Sequence, residues 1–360
     1  MRIAIQTGGG DAPGLNAVIR GAVLAAIGRG WAVYGIQKAF GGLLGSDRIV
    51  SLDRDSVRGI THLGGTILGT TNRGDPFKWP VTRPDGTVEE VDRSDELIAA
   101  FQAHGFEALI TIGGDGSLRI AQKLFEKGLP IVGVPKTIDN DVAGTVMTFG
   151  FDTAVSTATD ALDKLHSTAE SHERVIVVEV MGRYAGWIAL NSGISGSADV
   201  ILIPEIPFDW DSVCGKIMDR ERRGRRFSVV VVAEGASPKG GERAVKGAAP
   251  KGGGMELLGG IGELVAHEIA RRTGKDTRSL TLGHLQRGGS PTTFDRLLSL
   301  RFGAAAVRCV AAGEFGTMVS LQPPSILAVP LKDVVGRTRQ VPLDSDTVLT
   351  ARETGICLGD

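Results

Sequence analysis

The first thirty-six residues set the rhythm of the chain. A short apolar run, "RIAIQ", leads into Leu15, Val18, Ile19, Ala22, Val23, Ala26 and Ile27 at helical spacing, and then into a second apolar run, "AVYGI". The alternation continues through "ALITI", "IVGV", "RVIVVEV", "DVILI" and "SVVVVAEG", with helical patterns over 118–125, 153–165 and near Trp187 between them. β-Branched runs without polar alternation suit strands covered on both faces, and strand and helix in turn imply parallel pairing. The pattern therefore predicts an α/β protein with doubly wound, mostly parallel sheets. There are too many such units for one sheet of ordinary width, which divides the chain near 149–151 into two α/β domains. Two segments break the rhythm. "PFKWPVTRPDGTVEEVDRSDE" and "SPKGGERAVKGAAPKGGGM" are rich in Pro, Gly and charge, without period, and read as surface insertions, the second as a mobile loop.

Composition narrows the partners. An apolar fraction of 42% in 360 residues is enough to bury two cores of ordinary size. A net charge of -1 gives no general attraction to nucleic acid or a membrane, so any phosphate binding has to come from local clusters, and a small anionic substrate is expected. Cys214, Cys309 and Cys357 are far apart and form no CxxC, which argues against a disulfide framework or a zinc site and for reduced, cytoplasmic thiols. The amino terminus is too brief an apolar run for a signal peptide core, and no run approaches the ~18 residues of a membrane span. The 51 glycines fall in clusters and not in a repeat, which suggests several turns pressed against ligand.

Those turns hold the candidate chemistry. "TGGGDAPGLN" joins the first strand to the first helix, where backbone N–H groups can hold a phosphate; it is neither GxGxxG nor a P-loop, and a plain tight turn is the competing reading. "TIGGDGSLRI" repeats the arrangement with Asp115 between glycines, placed either to hold Mg²⁺ or to cap the helix. "VPKTIDND" sets Lys136, Asp139 and Asp141 just beyond a buried strand, where open α/β sheets bind ligands. Side chains alternate along extended backbone, so the two carboxylates share a face, repel, and suit proton abstraction from an alcohol; a solvated acidic loop is the alternative. Arg174, Arg183, Arg278 and Arg287 stand at strand ends, as phosphate ligands or as surface ion pairs. His284, between a strand and a Gly-Gly turn, reads as structural or as a phosphate contact.

Five motifs in order, "GGGDAPGLNAVIR", "GGDGS", "PKTIDND", "VEVMGRYAGW" and "LGHLQRGGSP", span nearly the whole chain and resemble the phosphofructokinase family. The resemblance implies two doubly wound domains, residues 1–150 plus about 286–340 for the phosphoryl donor and 151–285 plus about 341–360 for the sugar phosphate. It implies phosphorylation of the 1-hydroxyl of fructose 6-phosphate. Gly10, Arg73, Gly114, Asp115, Gly116 and Ser117 would meet the donor, with Asp115 on Mg²⁺. Thr137, Ile138 and Asp139 would meet the sugar, Asp139 as general base supported by Asp141, with Lys136 and Arg183 also in catalysis. Met181, Gly182, Arg183, Glu234, His284 and Arg287 would form the sugar phosphate pocket. Arg174 and Arg278 match arginines lent to a neighbouring subunit, which implies a homodimer or homotetramer with shared sites. The chain departs from the family in two places. The arginine of "TTNRGDPF" stands one position later than in many relatives, and Leu24 replaces a second arginine on the first helix, which argues against nucleotide regulation. Lys136 occurs in pyrophosphate users, whereas Gly116 leaves room for the α-phosphate of ATP, so ATP is the expected donor and pyrophosphate the alternative. Two other readings are a kinase of the NAD kinase and diacylglycerol kinase group, and a sugar-binding protein without catalysis.

Overall fold

The computed structural model describes residues 1–45, 48–247 and 257–360. Fifteen strands and ten helices are defined among them. The strands are β1 Arg2–Thr7, β2 Ala32–Ile36, β3 Ile49–Leu52, β4 Trp79–Thr82, β5 Val88–Val91, β6 Ala108–Gly113, β7 Ile131–Pro135, β8 Val175–Val180, β9 Val200–Leu202, β10 Ser228–Ala233, β11 Val245–Gly247, β12 Leu257–Leu258, β13 Thr277–Thr281, β14 Thr317–Gln322 and β15 Ser325–Pro330. The helices are α1 Leu15–Ile27, α2 Ser94–Ala103, α3 Asp115–Glu126, α4 Phe151–His172, α5 Trp187–Ser195, α6 Trp210–Arg222, α7 Ile261–Thr273, α8 Thr293–Ala312, α9 Leu331–Val334 and α10 Asp346–Glu353.

Two sheets carry the structure. A seven-stranded sheet runs β15-β14-β7-β6-β1-β2-β3, parallel except for its antiparallel edges β3 and β15. A four-stranded sheet runs β13-β8-β10-β9 and is parallel throughout. The apolar runs read as strands are buried along their whole length in β6, β7, β8 and β10, because helices cover both faces of each sheet. The chain passes from one sheet to the other at Gly150, whose φ of 93° turns the backbone into α4. Later segments return: β14 and β15 extend the large sheet, while Val341, Val348, Ala351 and Leu358 join the core beside the small one.

The first expected surface insertion has a structure of its own: residues 79–91 form an exposed antiparallel hairpin, β4–β5, apart from the main sheets and turned at Arg83–Thr87, where Asp85 Oδ1 accepts the Thr87 N–H at 2.9 Å. "VEEV" hides the strand because both glutamates are adjacent, which destroys the two-residue alternation. Of the segment expected as a mobile loop, residues 237–247 are described and end in β11, while 248–255 lie outside the described residues.

Candidate active site

Parallel strands deliver their carboxyl ends to one edge of each sheet, and the edges of the two sheets meet there. From the large sheet come three loops. The turn after β1 contains Gly8, Gly9 and Gly10; Gly8 N donates to Ile112 O at 2.9 Å, which ties it to the end of β6. The turn after β6 enters α3 through Gly114, with Asp115 as the first helical residue. Ser117 links the two turns: a Cβ on Gly113 would stand 2.3 Å from the Ser117 Cβ, and one on Gly8 2.8 Å from its Oγ. Gly116 differs, since a Cβ there would meet nothing within 4 Å. Packing therefore does not demand glycine at 116; the bare backbone borders open space. The loop of Arg73 adjoins the first turn, as Gly9 N donates to Thr71 O at 3.0 Å, while Arg73 itself is exposed.

The third loop leaves β7. Lys136 is buried, and its Nζ donates to the Gly10 carbonyl. Burial, helped by the neighbouring Arg287, lowers its proton affinity to about 8, against the pull of Asp11, Asp139 and Asp141. Asn140 holds the left-handed conformation, φ 53°, and its Oδ1 accepts the Thr148 N–H at 3.0 Å. Thr148 Oγ1 in turn donates to Thr137 O at 2.8 Å, and Thr137 Oγ1 accepts the Asp139 N–H at 3.1 Å. This lattice fixes a strained turn with Asp139 on one side and Asp141 on the other.

Asp139 has one covered carboxylate oxygen, Oδ1, with no hydrogen-bond partner. Burial and the charge of Asp141 push its pKa up to about 7, opposed by Arg287 and Arg183. The Asp139 residue as a whole keeps some exposure, so solvent and substrate can reach it. Asp141 is also raised, first by burial, with the Thr137 hydroxyl opposing. A carboxylate with an open lone pair and a raised proton affinity is equipped to take a proton near neutral pH.

The small sheet contributes the facing wall. Met181, Gly182 and Arg183 follow β8, and Glu234 follows β10, where Glu234 N donates to Val180 O at 2.9 Å. Glu234 is shifted upward by burial, with Arg183 opposing. The 3-10 turn Gly283–Arg287 closes the wall. Gln286, fully buried, accepts the Met181 N–H at 2.9 Å, and Arg287 Nη1 donates to Asp11 O at 3.1 Å, lying over Gly10. His284 is exposed on that turn.

Three expected residues lie elsewhere. The Ile138 side chain is wholly buried in the core beside Gly150, so only its backbone is available to a ligand. Arg174 and Arg278 lie at the amino ends of β8 and β13, the opposite edge of the small sheet, both paired with Asp276. Sequence reasoning missed Gln286, Asn140, Thr148 and Arg339. Each acts on backbone groups: Gln286 and Asn140 lie inside quoted motifs but accept N–H groups, and Thr148 and Arg339 donate to carbonyls, which any residue possesses.

Among the described residues no cluster of three metal-ligating side chains exists. Mg²⁺ bound to a nucleotide needs only one or two protein carboxylates. Asp115 offers one: its Oδ1 accepts the Gly336 N–H at 2.9 Å and its Oδ2 an Arg119 N–H at 2.6 Å, and it does not cap its helix, since α3 starts after Gly114 with no side-chain cap. The Asp115 charge adds to the raised proton affinity of Asp141, which places a second carboxylate in its field. The residues present fit such an ion.

The Phosphofructokinase family model matches residues 2–310. The chain belongs to the phosphofructokinase family. A relative from Chloroflexus aurantiacus, named ATP-dependent 6-phosphofructokinase, is 51% identical over 100% of this chain and 98% of its own. ATP-dependent 6-phosphofructokinase 1 of Synechocystis is 49% identical over the same shares. The Pichia pastoris phosphofructokinase structure matches 98% of this chain and 36% of its own with a TM-score of 0.80 and 32% identity, so the chain spans about a third of that protein. A pyrophosphate-dependent phosphofructokinase from Nitrosospira multiformis has the same TM-score of 0.80 at 21% identity over 100% of this chain and 92% of its own, a likeness of fold. Membership in the phosphofructokinase family sets aside both the NAD kinase group and the non-catalytic binder.

Proposed function

We propose that the chain is an ATP-dependent 6-phosphofructokinase that transfers the γ-phosphoryl group of ATP to the 1-hydroxyl of fructose 6-phosphate, giving fructose 1,6-bisphosphate and ADP. One observation carries this reading: the unpartnered, proton-hungry Asp139 stands between the two glycine turns and the wall of Met181, Arg183, Glu234 and Arg287. Phosphoryl transfer asks for positioning and charge neutralisation more than for a covalent nucleophile. Asp139 takes the proton of the sugar hydroxyl as its oxygen bonds to phosphorus and the bond to ADP breaks. Lys136 and Arg287 neutralise the charge gathering on the transferring group. Arg183, Glu234 and His284 orient the sugar phosphate, and Thr137 sets the base. Asp115 and Asp141 would hold Mg²⁺, which shields the donor phosphates.

The open space at Gly116 favours a nucleotide, because a side chain there would occupy room next to the donor turn. Lys136 reaches the transferring group whichever donor supplies it, so it does not argue for pyrophosphate. In this reading residues 1–150 with about 286–340 bind the donor, and 151–285 with about 341–360 bind the sugar phosphate. Arg174 and Arg278 serve a neighbouring copy in a homodimer or homotetramer. We place the enzyme in the cytoplasm because its proposed substrates are a sugar phosphate and ATP; no helix among the described residues is long and apolar enough to cross a membrane.

The test is a paired assay of kcat/KM with ATP and with pyrophosphate, in fructose 6-phosphate and Mg²⁺, for the native chain, Gly116→Asp and Lys136→Gly. ATP is the efficient donor for the native chain. Gly116→Asp loses roughly 10- to 100-fold with ATP, and Lys136→Gly lowers turnover without gaining pyrophosphate use. A native preference for pyrophosphate overturns the donor assignment.

A further inference from the structure

The turn bearing the base is gripped from outside by a segment far along the chain. Residues 336–341 run across the back of this turn, beginning at Gly336, whose N–H reaches Asp115. Thr338 bridges Val142, Arg339 N donates to Asp141 O at 2.8 Å, and Arg339 Nη1 donates to Asn140 O at 3.2 Å. The guanidinium lies over the Trp187 ring, 4.2 Å from its centroid, and Trp187 Nε1 donates to Arg339 O at 2.9 Å. Val341 N then donates at 2.8 Å to Glu205, which also accepts the Gly186 N–H. Arg339 is thus held at its backbone, by Asp141 and Trp187, and at its guanidinium, which lies over the Trp187 ring and donates to the Asn140 carbonyl.

That carbonyl belongs to the one residue between Asp139 and Asp141, which sits in the left-handed conformation, uncommon outside glycine and best tolerated by asparagine. Arg339 also lines an open cleft of about 580 Å³ with Ala143, Thr145, Gln322 and Pro323, so shortening it exposes the carbonyl to solvent from that side. We propose that Arg339, oriented by Trp187, is a positioning residue that fixes the Asn140 peptide and thereby aims Asp139 at the sugar hydroxyl. Arg339 contacts neither substrate nor reacting atoms; it acts through the backbone.

The inference rests on Asp139 as the base, and the experiment separates the two. kcat, the KM for fructose 6-phosphate and thermal stability are measured for the native enzyme, Arg339→Ala, Arg339→Met, Arg339→Lys and Asp139→Ser. Arg339→Met keeps an apolar stem on Trp187 but has no donor, and so decides the matter if Arg339→Ala does not fold. Loss of aim lowers kcat roughly 10- to 100-fold in Arg339→Met while KM stays nearly constant, and Arg339→Lys, which can still donate to the carbonyl, recovers most of the turnover. Native kcat in folded Arg339→Met overturns the positioning role, as does a loss that lysine does not repair. Native kcat in Asp139→Ser overturns the base assignment itself, whatever the arginine variants do.

Discussion

The two ends of the small sheet share the same strands and do opposite things. At the carboxyl ends of β8 and β10, Arg183 and Glu234 face inward toward Asp139 and Arg287, and burial has shifted the proton affinities of both carboxylates. At the amino ends, Arg174 and Arg278 face outward around Asp276, as ion pairs of 30–59% exposure. Exposed pairs of this kind contribute ~0–1 kcal/mol, so stability does not explain two arginines on one aspartate. β13, which carries Arg278, is exposed along most of its length, and Leu285 beyond it is 69% exposed. The inward end is thus buried and charged, whereas the outward end is an exposed pair of arginines around one aspartate.

Breaking the inward end produces the largest effect. Asp139→Ser lowers kcat by about 10²- to 10⁴-fold while fructose 6-phosphate still binds, measured by steady-state rates and calorimetry; near-native turnover removes the base role. The outward end is next. Arg278→Ala raises the KM for fructose 6-phosphate roughly tenfold, and mixing Arg278→Ala with Asp139→Ser subunits restores part of the activity, because in a hybrid pair one site joins the native Asp139 of one chain to the native Arg278 of the other while the second site carries both substitutions. A fully active monomer at assay dilution excludes sharing.

Acidity distinguishes the ends without mutation. Asp139 must be ionised to accept a proton, and its affinity is raised by burial, Asp141 and Glu234 and lowered by Arg287 and Arg183. Turnover therefore declines as pH falls through about 7, well above the ~4 of an ordinary carboxylate. A pH–rate profile flat down to 5 contradicts the buried base. The smallest effect belongs to Asp276→Asn, which frees both outward arginines from their partner: stability changes by no more than about 0.5 kcal/mol and KM by less than about threefold.

The sequence made some of this legible and hid the rest for physical reasons. β6, β7, β8 and β10 are continuous apolar runs buried on both faces, so their pattern is unambiguous. The strand expected before His284 is present as β13, but "TRSLT" is polar and exposed, so its place at the edge of the small sheet could not be read from its pattern. Lys136, Asp139 and Asp141 were legible as charges directly after a buried strand. Arg339 was not, since it lies 199 positions from Asn140 and bonds to a carbonyl every residue possesses. Ile138 shows the converse: a residue inside a motif whose side chain serves the core.

The pairing of β14 with β7, and of α8 with α1, has a consequence for the order in which the molecule is completed. A Cβ on Gly303 would stand 2.2 Å from Val18 O, so the last long helix lies against the first with no room for a side chain. Residues of β14, at Thr317–Gln322, must join β7 before the large sheet is whole. The small sheet needs nothing beyond Thr281 for its four strands. During synthesis on the ribosome, then, the strands encoded in the middle of the chain are all present first, while the amino-terminal sheet waits with β7 unpaired on one side. An exposed parallel edge invites association with other chains, and it stays open until the stretch encoding β14 has been translated.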